Sequence, residues 1–159
     1  MPLRIPSRDG PRRIELYRDP AWRFQLLLVV LGPGQSLPMH DHSGTWGVEA
    51  VWCGGLLVAD FAVDGRSGEA VHLRPRDAAH LVAGESTTLA PRLNVHHCRN
   101  TSVRGTTVFL HIHGAVLDEV TVYRALGDDW YQPFQTPLAV EKLQLGEMDF
   151  ADRHVDTYS

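Results

Sequence analysis

Cysteine is scarce: Cys53 and Cys98 are the only two in 159 residues. That is too few for a disulfide framework in a chain of this size. Long apolar runs are missing as well; the longest, Leu26 to Leu31, has six residues and falls far short of a membrane-spanning helix. The opening stretch MPLRIPSRDGPRR has no apolar core of the kind a secretory signal needs, so a reducing cytoplasm is the expected compartment and no membrane partner is expected. Positive charge is neither abundant nor clustered. The formal net charge is -4, and Arg4, Arg8, Arg12, Arg13, Arg18 and Arg23 are separated by acids and prolines, which argues against a nucleic-acid partner. Helix signals are weak throughout.

Present instead are short β-branched and aromatic runs between recurrent glycines and prolines, the pattern of many short strands. Strands are expected at 24–31, 46–53, 56–63, 70–73, 79–82, 86–89, 94–99, 106–113 and 120–123. The turn residues Asp64-Gly65-Arg66-Ser67-Gly68 should close a hairpin over 56–73. Regularly spaced strands with turn signals point to an all-β sandwich or barrel rather than βαβ units. The length suits one domain, residues 1–159, with a barrel core at about 17–124. Residues 1–14 read as an irregular arm. Residues 125–159 read as a polar, Pro-containing tail expected to wrap the barrel or pack on a partner, which would make a homodimer.

Nine histidines is a high count for this length. His40 and His42 lie in GPGQSLPMHDHSGTWG, and His96 lies in PRLNVHHCRN. On an extended strand, side chains alternate, so H-x-H puts both imidazoles on one face. Three neutral imidazoles converging on a point make a good site for a first-row transition metal. His97 competes with His96, but period two would point it to the opposite face.

The first region reads Gly34-x5-His40-x-His42-x4-Gly47-x6-Gly54 and the second Pro91-x-Leu93-x2-His96-x3-Asn100. Together they resemble the two motifs of the cupin superfamily, which implies a double-stranded β-helix (jelly-roll) barrel with short irregular extensions at both ends. Gly47 stands where many cupins carry a glutamate ligand. Glu49 is two residues late, on the same strand face but displaced by about 6–7 Å along it. The expected metal set is therefore His40, His42 and His96 without a carboxylate.

Within the superfamily, Gly32 to Gly47, Val95 to Asn100 and Phe109 to Gly114 resemble the blocks of the thiol dioxygenases, the cysteine and 3-mercaptopropionate dioxygenase group. That resemblance implies Fe(II) held by three histidines, with O2 and a small thiol carboxylate as substrates and a sulfinic acid as product. The family's Ser-His-Tyr relay maps onto Phe109, His111 and His113. His113 would then replace the tyrosine hydroxyl as a hydrogen-bond donor into the site, with a pKa near neutrality and a matching pH dependence. Arg18, after Tyr17, is the candidate clamp for a substrate carboxylate, and Arg124 is its rival. Trp46, Trp52 and Phe109 are expected in the core or the pocket wall. Two other readings stand beside this one: a three-histidine cupin oxygenase that cleaves a carbon–carbon bond, as in β-diketone dioxygenases, and a metal-binding cupin without catalysis.

Overall fold

Strand alternation carries the whole architecture. The computed structural model describes residues 9–90 and 95–142, and all regular structure among them is strand. In chain order the strands are β1 Arg12–Arg18, β2 Gln25–Leu31, β3 His40–Asp41, β4 Gly47–Cys53, β5 Gly55–Ser67, β6 Ala70–Val82, β7 Ser86–Leu89, β8 Val95–Asn100, β9 Thr107–His113, β10 Glu119–Gly127, β11 Trp130–Pro137 and β12 Glu141–Lys142. No helix among the described residues is long and apolar enough to cross a membrane.

One sheet runs β12-β1-β2-β9-β4-β7. The second, β10-β11-β6-β5-β8-β3, closes on itself because β3 pairs with both β8 and β10. Leu27, Val29, Leu31, Val51 and Phe109 from the first sheet pack against Leu56, Val58, Leu81 and Cys98 from the second. Every second residue of β2, β4 and β9 thus enters one interior, the period-two burial expected of facing sheets. Burying such side chains contributes roughly 1.5–3 kcal/mol each.

Several expectations are corrected by this layout. Residues 12–14, read as part of an irregular arm, begin β1, with Ile14 buried opposite Leu28. The expected turn at 64–68 is mostly strand. Gly65 is absorbed by a register shift after Val63, and the reversal falls on Gly68-Glu69 between the paired Ser67 and Ala70. Gly68 there has φ 58, a value that glycine reaches without strain. The part of the tail at 130–137 is a ladder strand rather than irregular chain. It is joined to β10 through Asp128-Asp129, both with positive φ, as a type I′ turn requires. The expected strands 70–73 and 79–82 are one strand, carried past Pro75 by a bulge opposite Asp60 and Phe61. Pro91 and Leu93 of the second motif, the first part of the arm and the tail beyond Lys142 lie outside the described residues.

Candidate metal centre

The two sheets deliver histidines to one end of their shared interior. His40 in β3 pairs across to His96 in β8, and His96 pairs in turn with Asp60 of β5. The chain then folds over at Ser43 and Gly44, both with positive φ, held by Ser43 N–H donating to Asp41 Oδ1 and Thr45 N–H donating to the His42 carbonyl. This tight reversal presents His42 inward although it has left the strand. From the opposite sheet, β9 contributes His111 and His113 on alternate positions, opposite Glu49 and Gly47 of β4.

His42 is the hub of the cluster. Its ring centroid lies 4.4 Å from His96, 4.5 Å from His113, 4.6 Å from His111 and 5.2 Å from His40. His40 and His96 are 4.2 Å apart, as are His111 and His113. Donor atoms of His40, His42 and His96 all lie within 4.8 Å of one another. The same holds for His42, His111 and His113, and for Glu49, His96 and His111. Gly47 makes room for this arrangement: a Cβ there would sit 3.2 Å from Leu89 and 3.3 Å from His42 Nδ1.

Buried polar atoms in this cluster lack the partners they normally find. Nε2 of His42, His111 and His113 and Oε2 of Glu49 accept and donate nothing. His40 Nδ1 donates to the Pro38 carbonyl at 2.7 Å, which leaves its Nε2 with the lone pair, as in many metal-binding histidines. Burial pushes His40 down to about 4 and His113 to about 3, and His42 and His111 well below the usual range. Neighbouring imidazoles push His42 and His111 further the same way, and the Arg13 guanidinium adds to the effect on His40, His111 and His113. These four imidazoles are neutral at pH 7, and ring nitrogens of neighbouring members lie within 4.8 Å of one another. A bound cation satisfies such a set, and nitrogen donors suit Fe, Zn, Ni or Cu.

Glu49 lies next to the histidines, with a carboxylate oxygen within 4.8 Å of donor atoms of His96 and His111, while His40, His42 and His96 group together without it. It is fully buried, and Oε1 accepts a hydrogen bond from Cys98 Sγ at 3.0 Å. Burial raises its pKa to about 7, and the buried Cys98 thiol is pushed well above its usual value, first by desolvation and then by Glu49. His97 turns away from the interior and is half-buried. The near-neutral pKa expected for His113 is corrected downward by its burial.

Arg18 is not brought to the histidines. Its guanidinium binds Glu15 at 2.9 Å, approaches Asp118 at 3.7 Å and lies 5.6 Å over the Trp22 ring. Arg124 is exposed on β10. Of the three aromatics, Phe109 is fully buried beside His111, but Trp52 is 69% exposed and Trp46 44% exposed. Trp46 packs so closely on Gly114 that a side chain there would collide with its indole.

Two features went unread in the sequence. A cleft of about 210 Å³ opens beside His42, lined among others by Thr45, Val63, Arg66, Leu89 and Tyr123. Tyr123 donates its hydroxyl proton to Asp41 at 2.7 Å across this cleft, while Arg66 forms no ion pair with any described residue. The second feature is Gln25, fully buried beside His113. In the sequence, Arg66 reads as a turn residue and Gln25 as one strand position among apolar neighbours.

No family model matches the chain. Among solved structures it is similar to TT1209 from Thermus thermophilus, with TM-score 0.53 and 24% identity over 71% of this chain and 90% of that one. The cupin domain of Schizosaccharomyces pombe Cnp3 aligns with TM-score 0.52 and 12% identity, covering 67% of this chain and 61% of that one. An oxalate oxidase in complex with the substrate analogue glycolate gives TM-score 0.50 and 21% identity, covering 69% and 53%. The chain therefore has the cupin fold, a double-stranded β-helix carrying a candidate three-histidine metal site. These likenesses single out no one chemistry, since the fold hosts many.

Proposed function

We propose that this protein is a metal-dependent oxygenase that uses Fe(II) and O2 to convert a small thiol carboxylate to its sulfinic acid. The observation that carries the reading is the convergence of buried imidazoles on one point, with the inward nitrogens of His42, His111 and His113 meeting no hydrogen-bond partner. His40, His42 and His96 would hold the ion, and the motif resemblance to the thiol dioxygenases favours iron among the metals these nitrogens accept. When bound, Fe(II) supplies the redox chemistry that joins both atoms of O2 to the sulfur.

The rest is done by the chain. Uncharged ligands leave the centre net positive, which favours an anionic thiolate. The cleft beside His42 is smaller than the roughly 300 Å³ at which drug-sized pockets begin, so the substrate has few atoms. Arg66 lines the wall and would receive a carboxylate through paired N–H donors. Tyr123 lends its proton to Asp41, so its oxygen faces the cleft as an acceptor. Phe109 closes the interior below His111 and keeps water from the cluster.

The test is anaerobic loading with Fe(II), then oxygen uptake across small thiol carboxylates and β-diketones, with mass analysis of products. Uptake with a thiol and a gain of two oxygen atoms supports the proposal. Uptake only with a diketone would replace it by carbon–carbon cleavage, and bound iron without any uptake would leave a metal-binding barrel.

A further inference from the structure

His113 sits at the inner end of a hydrogen-bonded chain that starts at the surface. Arg18 Nε and Nη2 donate to the Glu15 carboxylate at 3.0 and 2.9 Å. Gln25 Nε2 donates to the same Glu15 oxygen at 2.7 Å. At its other end, Gln25 Oε1 lies 3.4 Å from His113 Nδ1 and 3.4 Å from the Leu117 N–H. Gln25 and His113 pair directly across β2 and β9, which fixes this approach by register.

The order of donors along the chain is dictated by its outer end. An ionised carboxylate only accepts hydrogen bonds, and the Arg18 guanidinium keeps Glu15 ionised. Gln25 must therefore turn its NH2 to Glu15 and its carbonyl inward. The Leu117 N–H on the same oxygen agrees with that orientation. A carbonyl can only accept, so the ring proton of neutral His113 belongs on Nδ1. Its Nε2 then carries a lone pair, is buried and meets no hydrogen-bond partner, and a ring nitrogen of His113 lies within 4.8 Å of donor atoms of His42 and His111.

We propose that His113 is a further nitrogen donor to a metal ion in this interior, and that Arg18, Glu15 and Gln25 are positioning residues that set its tautomer. In this arrangement His113 does not donate a hydrogen bond into the site as a tyrosine hydroxyl would. It offers a fourth imidazole next to His42, and the surface pair Arg18–Glu15 acts on the centre through Gln25. The inference rests on the metal-binding reading above and adds to it a ligand and its support.

Two measurements test it. In the metal-free protein, two-dimensional ¹H–¹⁵N NMR of the imidazoles should show His113 as the Nδ1–H tautomer, and Glu15→Gln, which can both donate and accept, should produce a mixture. Titration of the purified apoprotein with Co(II) should give affinities about 10–100-fold weaker for Gln25→Leu and for His113→Phe than for the unaltered chain. The visible Co(II) band of His113→Phe should also shift. Folding of each variant is checked by urea unfolding without metal; should His113→Phe not fold, the Glu15→Gln spectrum and affinity decide alone. Unaltered affinity and band in His113→Phe, or an Nε2–H tautomer in the starting protein, would overturn the inference while leaving the metal site standing. Failure of the unaltered chain to bind Co(II) would remove the metal-binding reading and this inference together.

Discussion

Acidifying the metal-free protein should unfold it well above the pH at which most domains of this size fail. His40 titrates at about 4 and His113 at about 3 in the folded chain, and His42 and His111 lie well below the usual value. In the unfolded chain each imidazole returns to about 6.5. Unfolding below that pH therefore takes up protons. A depressed folded pKa contributes stability above the unfolded value and loses it as pH falls toward the folded one. Glu49 acts in the opposite sense: raised to about 7 when folded, it is neutral in the barrel and ionised in the open chain near pH 5–6, so it releases a proton. Asp19, held down to about 2 by its hydrogen bonds to Arg23, stays ionised in both states and drops out. Four imidazoles against one carboxyl leave a net uptake of about three protons, or at most about 4 kcal/mol per pH unit between about pH 6 and pH 5. That is a large part of the roughly 5–15 kcal/mol available to a domain. Urea unfolding in the presence of chelator at about pH 7.5, 6 and 5 measures it, as a falling midpoint at nearly constant slope. Added Co(II) at about a hundredfold its dissociation constant should restore about 2.7 kcal/mol. A midpoint that does not move over this range would mean that the imidazoles are not held neutral and buried, and the electrostatic account of the cluster would fail.

How much of this was legible in the sequence follows from which interactions are local. The expected strand at 86–89 coincides with the observed one, and those expected at 24–31 and 106–113 begin one residue early, because alternation and apolar content act over a few neighbours. His40 and His42 do come together, with ring centroids 5.2 Å apart, but through the reversal at Ser43 and Gly44 rather than through strand alternation, because β3 ends at Asp41. Counting along β4 alone does not reveal that Glu49 lies near His96 and His111; it does so because register across to β9 sets it opposite His111. Such register is a property of two distant segments and has no local signature. The partners of Arg18 are hidden in the sequence for a related reason. A register shift between Glu15 and Tyr17 puts Glu15 and Arg18 on one side of β1, so the guanidinium is spent on a neighbour three residues away. Charged residues concealed β1, and Pro133 and Pro137 concealed β11. Both strands run beside short or sparsely paired neighbours, where prolines and charges are tolerated.

Three substitutions probe what holds the site in place. Asn100→Ala should cost about 3 kcal/mol, seen as a fall of roughly 10 °C in Tm. The side chain donates to the Leu31, Gly32 and Gly105 carbonyls and accepts from Ser102 N–H and the Thr107 hydroxyl. A change under about 1 kcal/mol would mean that water replaces these bonds freely. Gly47→Glu restores the carboxylate common in cupins, and its Cβ meets Leu89 and His42. It should destabilise by about 1–3 kcal/mol and weaken Co(II) binding; tighter binding at unchanged stability would show that the His42 ring yields to a carboxylate. Arg66→Gln addresses the substrate. If a carboxylate docks in the cleft on that guanidinium, losing a charge-assisted contact worth about 1.5–3 kcal/mol raises KM by roughly 10–100-fold with kcat little changed, since the contact is the same before and during the reaction. The effect should vanish when the carboxylate is replaced by a carboxamide, because only the anion draws on the arginine's charge. An equal loss for both compounds would make Arg66 a wall of the cleft rather than the group that recognises the substrate.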